Sequence, residues 1–309
     1  MNPIVSVIIP TYNVELYIKK CLDSVLNQTY HNIEVLVVDD CSTDSTVEIL
    51  NEYNDSRLKI SKNNANMGPS FSRNSAIKTA KGEWIAILDG DDWWEVTRLE
   101  KLISAALTKN ADMVIDDINF VQDGEYIPWQ TEFNSKRIKK NISVLEPTLF
   151  INKDLGMKPI IKRKMLAEKE IYFDESLKYG EDYKFYLDCL TSDFKCVIYK
   201  EALYFYRSRK GSLMTKRDEL IKQTIETTKQ LVLESKYNSN DEVKKALQSR
   251  YKRLVATKKY YNFVSYVKAK RYKQILIEIV KDISIVIIIF KRIPKIVKSR
   301  YLKKQHYNF

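Results

Sequence analysis

The feature that most restricts this chain is an alternation of two hydrophobic periods through its first 115 residues. Residues 5–9 are a short, mostly β-branched apolar run, the pattern of a strand buried on both faces. Leu16, Ile18, Cys21, Leu22, Val25 and Leu26 then recur at helical spacing, and residues 33–38 return to the buried-strand pattern. Residues 46–53 read as a helix, with Ser42 or Asp44 near its start as a cap. Residues 57–61 read as a weak strand, 71–80 as helix, 84–88 as strand, 94–107 as helix and 111–115 as strand. Strand and helix taking turns in this way predicts an α/β fold built on a mostly parallel, doubly wound sheet.

The alternation stops there. Residues 118–180 predict an irregular α+β region, with Asp123-Gly124 as a hairpin turn signal. From Leu220 the pattern is helical, with Leu220, Ile221, Ile225, Leu231 and Val232 on one stripe. Ser239-Asn240-Asp241-Glu242 reads as a capping box opening a helix that carries Val243, Leu247, Tyr251 and Leu254 along one face. A boundary near 210–218 would divide a unit of residues 1–215 from a helical extension, residues 216–309.

Charge divides at almost the same place. Residues 1–200 carry 25 Lys and Arg against 31 Asp and Glu, whereas residues 201–309 carry 27 against 9. The net +12 of the chain is therefore a basic tail on an acidic body, which suits a polyanionic partner. Residues 291–309 hold Lys291, Arg292, Lys295, Lys298, Arg300, Lys303 and Lys304 and no acid, and the nearly apolar run 283–290 precedes them. Apolar next to basic fits an anchor on an anionic membrane surface; the alternative is a buried terminal helix with a solvated end. No nucleic-acid-binding motif accompanies the charge, so nucleic acid is not an expected partner. The apolar stretch 275–290 is interrupted by Glu278, Lys281 and Asp282 and falls short of the ~20 apolar residues of a spanning helix. Residues 4–10 lack a basic leader before them, so no secretory signal is read. Four cysteines without ligand spacing and two histidines argue against zinc and for a reducing compartment.

In an open α/β sheet, ligands bind beyond the carboxyl ends of the strands, and the unusual polar residues fall there. Pro10-Thr11-Tyr12-Asn13 follows the first strand, Asp39-Asp40 the second, and residues 63–68 the third, with Arg73 just inside the next helix. Asp89-Gly90-Asp91-Asp92 follows the fourth. Three carboxylates in four residues repel one another unless a cation neutralises them. Oxygen ligands without His or Cys suit Mg²⁺ or Mn²⁺, although a solvated turn would also look like this. One acid of Asp39-Asp40 either caps a helix or accepts hydrogen bonds from a nucleoside. Arg73 is either a surface residue or a bidentate grip on phosphate. Gly180-Glu181-Asp182 opens a helical run; its acids either favour the helix dipole or include a general base.

Taken in order, Val5 to Asn13, Val38-Asp39-Asp40-Cys41-Ser42-Thr43-Asp44, Asn66-Met67-Gly68 with Arg73-Asn74, Leu88-Asp89-Gly90-Asp91-Asp92 and Gly180-Glu181-Asp182 resemble the family 2 glycosyltransferases of bacterial polysaccharide synthesis. The resemblance covers roughly residues 3–215. It implies a GT-A type fold and an inverting transfer of a sugar from a nucleotide sugar, most often a UDP-sugar, to a hydroxyl of a glycan or lipid-linked acceptor. It implies that Pro10, Thr11, Tyr12, Asp40 and Gly68 belong to the nucleotide-sugar site, that Arg73 approaches the diphosphate, and that Asp89 lies against ribose and metal. Asp91, with Asp92 beside it, would hold a divalent cation, Mn²⁺ or Mg²⁺, and Asp182 matches the catalytic base. Arg209 stands where the family often has a histidine. An arginine cannot ligate a metal, but it can neutralise diphosphate charge and so joins the substrate-binding set.

The chemistry is consistent with these roles. Inversion needs one in-line displacement, a carboxylate to take the acceptor proton and positive charge for the departing diphosphate. A sugar nucleotidyltransferase is the rival enzyme reading, but it would normally show a Gly-rich basic loop after the first strand, where this chain has Pro10-Thr11-Tyr12-Asn13. An inactive domain tethered to a membrane is the non-enzymatic rival; the intact Asp89, Asp91 and Asp182 count against it. The expected location is cytoplasmic, peripheral on the inner face of the cell membrane.

Overall fold

The structure is a computed structural model that describes residues 2–209, 217–282 and 286–287. Its strands are β1 (Val5–Thr11), β2 (Ile33–Asp39), β3 (Leu58–Lys62), β4 (Trp84–Ile87), β5 (Trp93–Trp94), β6 (Met113–Gln122), β7 (Gln130–Thr131), β8 (Ile160–Lys162) and β9 (Cys196–Ser208). Its helices up to the middle of the chain are α1 (Ile18–Leu26), α2 (Thr46–Asn51), α3 (Pro69–Thr79), α4 (Arg98–Lys109), α5 (Glu132–Lys136), α6 (Pro147–Lys153), α7 (Arg163–Glu168) and α8 (Glu181–Thr191). α9 (Arg217–Leu233), α10 (Ser235–Asn238), α11 (Asp241–Lys268) and α12 (Tyr272–Lys281) follow.

The strands form one sheet in the order β3-β2-β1-β4-β8-β6-β9-β5, with β7 paired to β6. β3, β2, β1 and β4 are mutually parallel. This is the doubly wound half that the periodicity predicts. Beyond β4 the sheet is mixed: β8 is antiparallel to both β4 and β6, while β9 is parallel to β6. Alternate residues of β1 feed opposite cores, as a period of two requires. Val5, Val7 and Ile9 pack with Ile18 and Leu22 of α1 and Leu99 and Leu102 of α4. Ile8 packs on the other face with Ala76 and Ile77 of α3, Phe150 of α6 and Phe185 of α8.

Leu231 of α9, Tyr237 of α10 and Val243 and Leu247 of α11 belong to that second core. The start of the helical extension is thus packed against the sheet unit. The boundary expected at 215 lies outside the described residues, as does the basic segment 291–309. Among the described residues, no helix is long and apolar enough to cross a membrane.

Three local readings are revised. Trp94 does not open a helix: Trp93 and Trp94 form β5 against β9, with Trp93 stacked on Phe205 at 5.1 Å between ring centroids, and α4 begins only at Arg98. Aromatics favour a strand when a cross-strand partner is available. The helix starting near residue 240 is capped by Asn240 rather than Ser239, since the Asn240 side chain accepts from the amides of Glu242 and Val243. The region after residue 118 holds more strand than its sequence suggests, because β6 runs to Gln122 and pairs with thirteen-residue β9. Asp123-Gly124 does turn the chain, and β7 returns antiparallel to β6.

Candidate active site

In strand order 3-2-1-4 the winding direction reverses between β1 and β4, and a crevice opens at their carboxyl ends. Pro10 and Thr11 end β1 there, followed by half-exposed Tyr12. Gly90 in the loop after β4 lies against them: a Cβ on it would meet Thr11 Cγ2 at 3.1 Å and the Pro10 carbonyl at 3.3 Å. The acidic loop can sit this close to β1 because position 90 has no side chain.

Asp40, just past β2, accepts from the Asn63 side-chain amide at 2.7 Å and from the backbone amides of Met67 at 2.9 Å and Gly68 at 2.7 Å. It therefore folds the amide-rich loop onto itself. Gly68 ends that loop with φ +88 and ψ 163, the residue before Pro69 at the first position of α3. A cavity of about 270 Å³ opens beside the loop, among Lys62, Asn63, Met67 and Phe71.

α3 carries Arg73 into a cluster of opposite charges. Its NH2 donates to Asp89 Oδ1 at 2.8 Å, and its NH1 to Asp182 Oδ1 at 3.0 Å and Glu181 Oε1 at 3.2 Å. Lys158, in the loop before β8, approaches the other oxygens of the same two aspartates: Asp89 Oδ2 at 2.6 Å and Asp182 Oδ2 at 3.5 Å. Two cations thus bridge two carboxylates in a closed ring. Arg73 and Lys158 are 5% and 8% exposed, whereas the Asp182 side chain keeps 32% of its surface open. Asp182 is the most open member of the ring, ahead of Asp89 at 22%.

The environment tunes these groups unequally. Burial opposes ionisation of Asp89, but Lys158 and Arg73 overcome it and hold the carboxyl well below its usual range. Burial also opposes the charges on Arg73 and Lys158, and the surrounding acids raise both above their ordinary values. Glu181 is pushed up to about 7 by burial and by the neighbouring Asp182, against the pull of Arg73.

Asp91 and Asp92 part company. Asp92, expected to join Asp91 at a cation, is 2% exposed and accepts from the Tyr204 hydroxyl at 2.7 Å and the Arg207 amide at 2.8 Å. Burial, then the charges of Asp91 and Asp89, push its carboxyl well above the ordinary range. Its oxygens fasten the acidic loop to β9 and are not presented to the crevice. Asp91 is more open; its Oδ2 accepts from Arg209 Nε at 2.6 Å, and its carbonyl accepts from Arg207 Nε at 2.8 Å. Arg209 therefore lies at the acidic loop, on the residue nearest a metal role. Among the described residues, no three His, Cys, Asp or Glu side chains converge as a cation cage. One carboxylate still fits a Mg²⁺ or Mn²⁺ that takes its other oxygens from phosphate and water.

The structure thus brings Pro10, Thr11, Asp89, Asp91, Arg73, Asp182 and Arg209 around one strand-end region, with Asp40 and Gly68 shaping the loop beside it. Sequence reading missed Lys158, which lies in a segment without periodicity. It also assigned no role to Tyr204 or Arg207, which sit on β9, where mixed polarity hides the strand, and it did not separate Glu181 from Asp182 by their surroundings.

The family model described as "Glycosyl transferase family 2" matches residues 6–165. The succinoglycan biosynthesis protein ExoO of Rhizobium meliloti is 32% identical over 217 residues, 68% of this chain and 62% of ExoO. The uncharacterized glycosyltransferase EpsJ of Bacillus subtilis is 32% identical over 223 residues, 69% of this chain and 63% of EpsJ. The chain therefore matches somewhat under two thirds of the length of these relatives. The crystal structure of S. aureus TarS 1–349 in complex with UDP is similar with a TM-score of 0.58 and 28% identity, covering 72% of this chain and 65% of that one. With the motifs, the sheet and these likenesses in agreement, the chain belongs to glycosyl transferase family 2 and has the GT-A type of fold.

Proposed function

We propose that the chain is an inverting glycosyltransferase that moves a sugar from a nucleotide sugar, a UDP-sugar, to a hydroxyl of a glycan or lipid-linked acceptor in polysaccharide or glycoconjugate synthesis. The observation that carries this reading is the charged ring in which Arg73 and Lys158 join Asp182, from the start of α8, to Asp89 at the end of β4. A reachable carboxylate held beside the buried cations Arg73 and Lys158 supports this reading, since acceptor deprotonation next to a diphosphate leaving group requires a base close to positive charge. The UDP carried by TarS supports a uridine nucleotide.

In this reading Pro10, Thr11 and Tyr12 border the nucleoside, and Asp40 and Gly68 shape the loop that closes over it. Arg73 and Arg209 offer guanidinium groups to the diphosphate. Asp89 faces the ribose side, and Asp182 Oδ atoms take the proton of the acceptor hydroxyl as it attacks the anomeric carbon. A divalent cation would be held by Asp91, and when bound it supplies Lewis-acid stabilisation of the departing diphosphate. The C-terminal region would place the enzyme on an anionic, cytoplasmic membrane face: α12 exposes Tyr272, Leu276 and Val280 at four-residue spacing, ahead of the basic segment.

The test is Asp182→Asn. Its expected effect is a loss of roughly 10²–10⁴ in kcat, the range of a general base, with UDP affinity measured by calorimetry unchanged within about threefold because the amide keeps the side-chain shape. Normal turnover by this variant, on whichever UDP-sugar a hydrolysis screen selects, refutes the assignment.

A further inference from the structure

We propose that Lys158 is a positioning residue for the base: it keeps Asp182 ionised and in register with Asp89 when the donor's diphosphate engages Arg73. This rests on reading Asp182 as the base, and it adds a residue that no motif of the sequence marks.

The geometry divides the work between two cations. Arg73 spreads NH1 and NH2 over Asp89, Asp182 and Glu181, while its buried Nε has no hydrogen-bond partner among the described residues. An arginine placed so is ready to exchange carboxylates for phosphate oxygens, since its fork fits both. Among the described residues the Lys158 ammonium pairs with Asp89 and Asp182, on the oxygens that Arg73 leaves, and lies 5.9 Å from the centroid of the Tyr204 ring. Its place is fixed from behind. Arg98 grips Asp116 with two hydrogen bonds, at 2.9 and 2.7 Å, and donates from the same NH2 to the Lys158 carbonyl at 2.5 Å. Arg98 and Asp116 are essentially fully buried, so the backbone at residue 158 is tied to the core while its ammonium reaches the site.

The charges facing Asp182 show what Lys158 does there. Arg73 comes from α3, Lys158 from the loop before β8, Glu181 is its neighbour on α8, Asp89 comes from the loop after β4, and Tyr186 lies one turn along α8. Glu181, when charged, and Asp89 favour protonation of Asp182; Arg73 and Lys158 favour its ionised form. Once Arg73 shares its charge with a diphosphate, Lys158 is the cation that keeps the base deprotonated. Removing it raises the proton affinity of Asp182 and moves the acid limb of the rate profile upward.

The experiment compares the full chain with K158M, K158Q and K158R. Losing a charge this close shifts a carboxyl by about one to three pH units, so the kcat profiles of K158M and K158Q are expected to rise at a pH higher by about one unit or more. At a mildly acidic pH kcat falls about tenfold or more, recovers partly in alkali, and UDP affinity stays within about threefold. K158R is expected to keep the wild-type limb. Two neutral variants are used so that a folding defect in one does not decide the matter. A limb that stays in place, or a loss confined to UDP binding, overturns the proposal. Carboxyl-¹³C titration of Asp182 in UDP-bound protein, assigned through D182N, reads the same shift without turnover. A wild-type chain inactive on every donor would instead defeat the proposed function, and the ¹³C titration would still decide on Lys158.

Discussion

Glu181 shows how one residue's surroundings set a pH dependence. Its carboxyl is raised from 4.5 to about 7 in the folded chain, by burial first and by Asp182 second. The native state therefore binds this proton more tightly than the unfolded chain does. Stability contributed by the protonated form is complete below the unfolded value and is lost as pH rises through the folded value. Glutamine mimics the protonated form. Glu181→Gln is thus expected to melt with the wild type near pH 4 and above it at pH 8, a divergence that opens between about pH 4.5 and 7. Parallel melting curves across that range would show that Arg73 neutralises Glu181 in full. The neighbouring residue makes the opposite use of the same cation: Asp182 is more open and shares Arg73 with Asp89, which suits a group that must stay charged. Sequence alone lists Glu181 and Asp182 as adjacent acids. Which one faces solvent depends on how α8 is seated, and that is decided by Phe185, Leu187 and Leu190 packing into the core.

At the scale of elements, what could be read in advance was whatever repeats. β1, β2 and β4 are buried on both faces and announce themselves as apolar runs, and the polar residues that follow them fall in the crevice because topology puts strand ends together. β9 gave no such signal: its thirteen residues are buried at 196–198, exposed at Lys200 and Glu201 and mixed beyond, as it runs between β6 and β5, so no single period runs through it. Lys158 was hidden for a related reason, since its partners Asp89 and Asp182 are distant in sequence and only the β4–β8 pairing brings its loop near them. Asp92 was legible as an acid but not as a buried one, because Tyr204 and Arg207 come from that unseen strand. The entry to α3 is more transparent. Gly68, at φ +88 and ψ 163, occupies a region open almost only to glycine, and nothing lies within 4 Å of where its Cβ would be. Gly68→Ala therefore costs backbone strain without a clash, about 1–3 kcal/mol. The urea midpoint should fall with the slope unchanged, and UDP binding should weaken because α3 carries Arg73. An unaltered midpoint would mean that the turn relaxes freely and that Asp40 does not hold it.

The whole molecule joins an acidic body to a basic end, and its packing tells where one gives way to the other. Leu231, Tyr237, Val243 and Leu247 lie in the same core as Phe150 and Phe185. Arg250 of α11 sits 3.7 Å above the Tyr183 ring, next in sequence to Asp182, and its Nε donates to Asp154 at 2.8 Å. The helices up to this point are therefore part of what seats Asp182, and cutting the chain at residue 216 would remove them. α12 differs. Tyr272, Leu276 and Val280 leave most of their surface exposed, on a helix followed by a segment with seven Lys and Arg and no acid. Apolar contact and positive charge strengthen each other on an anionic bilayer, with each basic side chain near the surface worth about 1 kcal/mol and the attraction screened by salt. The full chain is expected to float with vesicles containing phosphatidylglycerol, to float less in high salt, and to stay behind with neutral phosphatidylcholine. A chain ending at residue 271 keeps Arg250 and the shared core, so it should bind UDP as before yet remain at the bottom of the gradient. Equal flotation of the two would move the membrane contact to the catalytic unit; failure of both to float would leave the basic end as a solvated appendage and the exposed face of α12 without a bilayer to cover it.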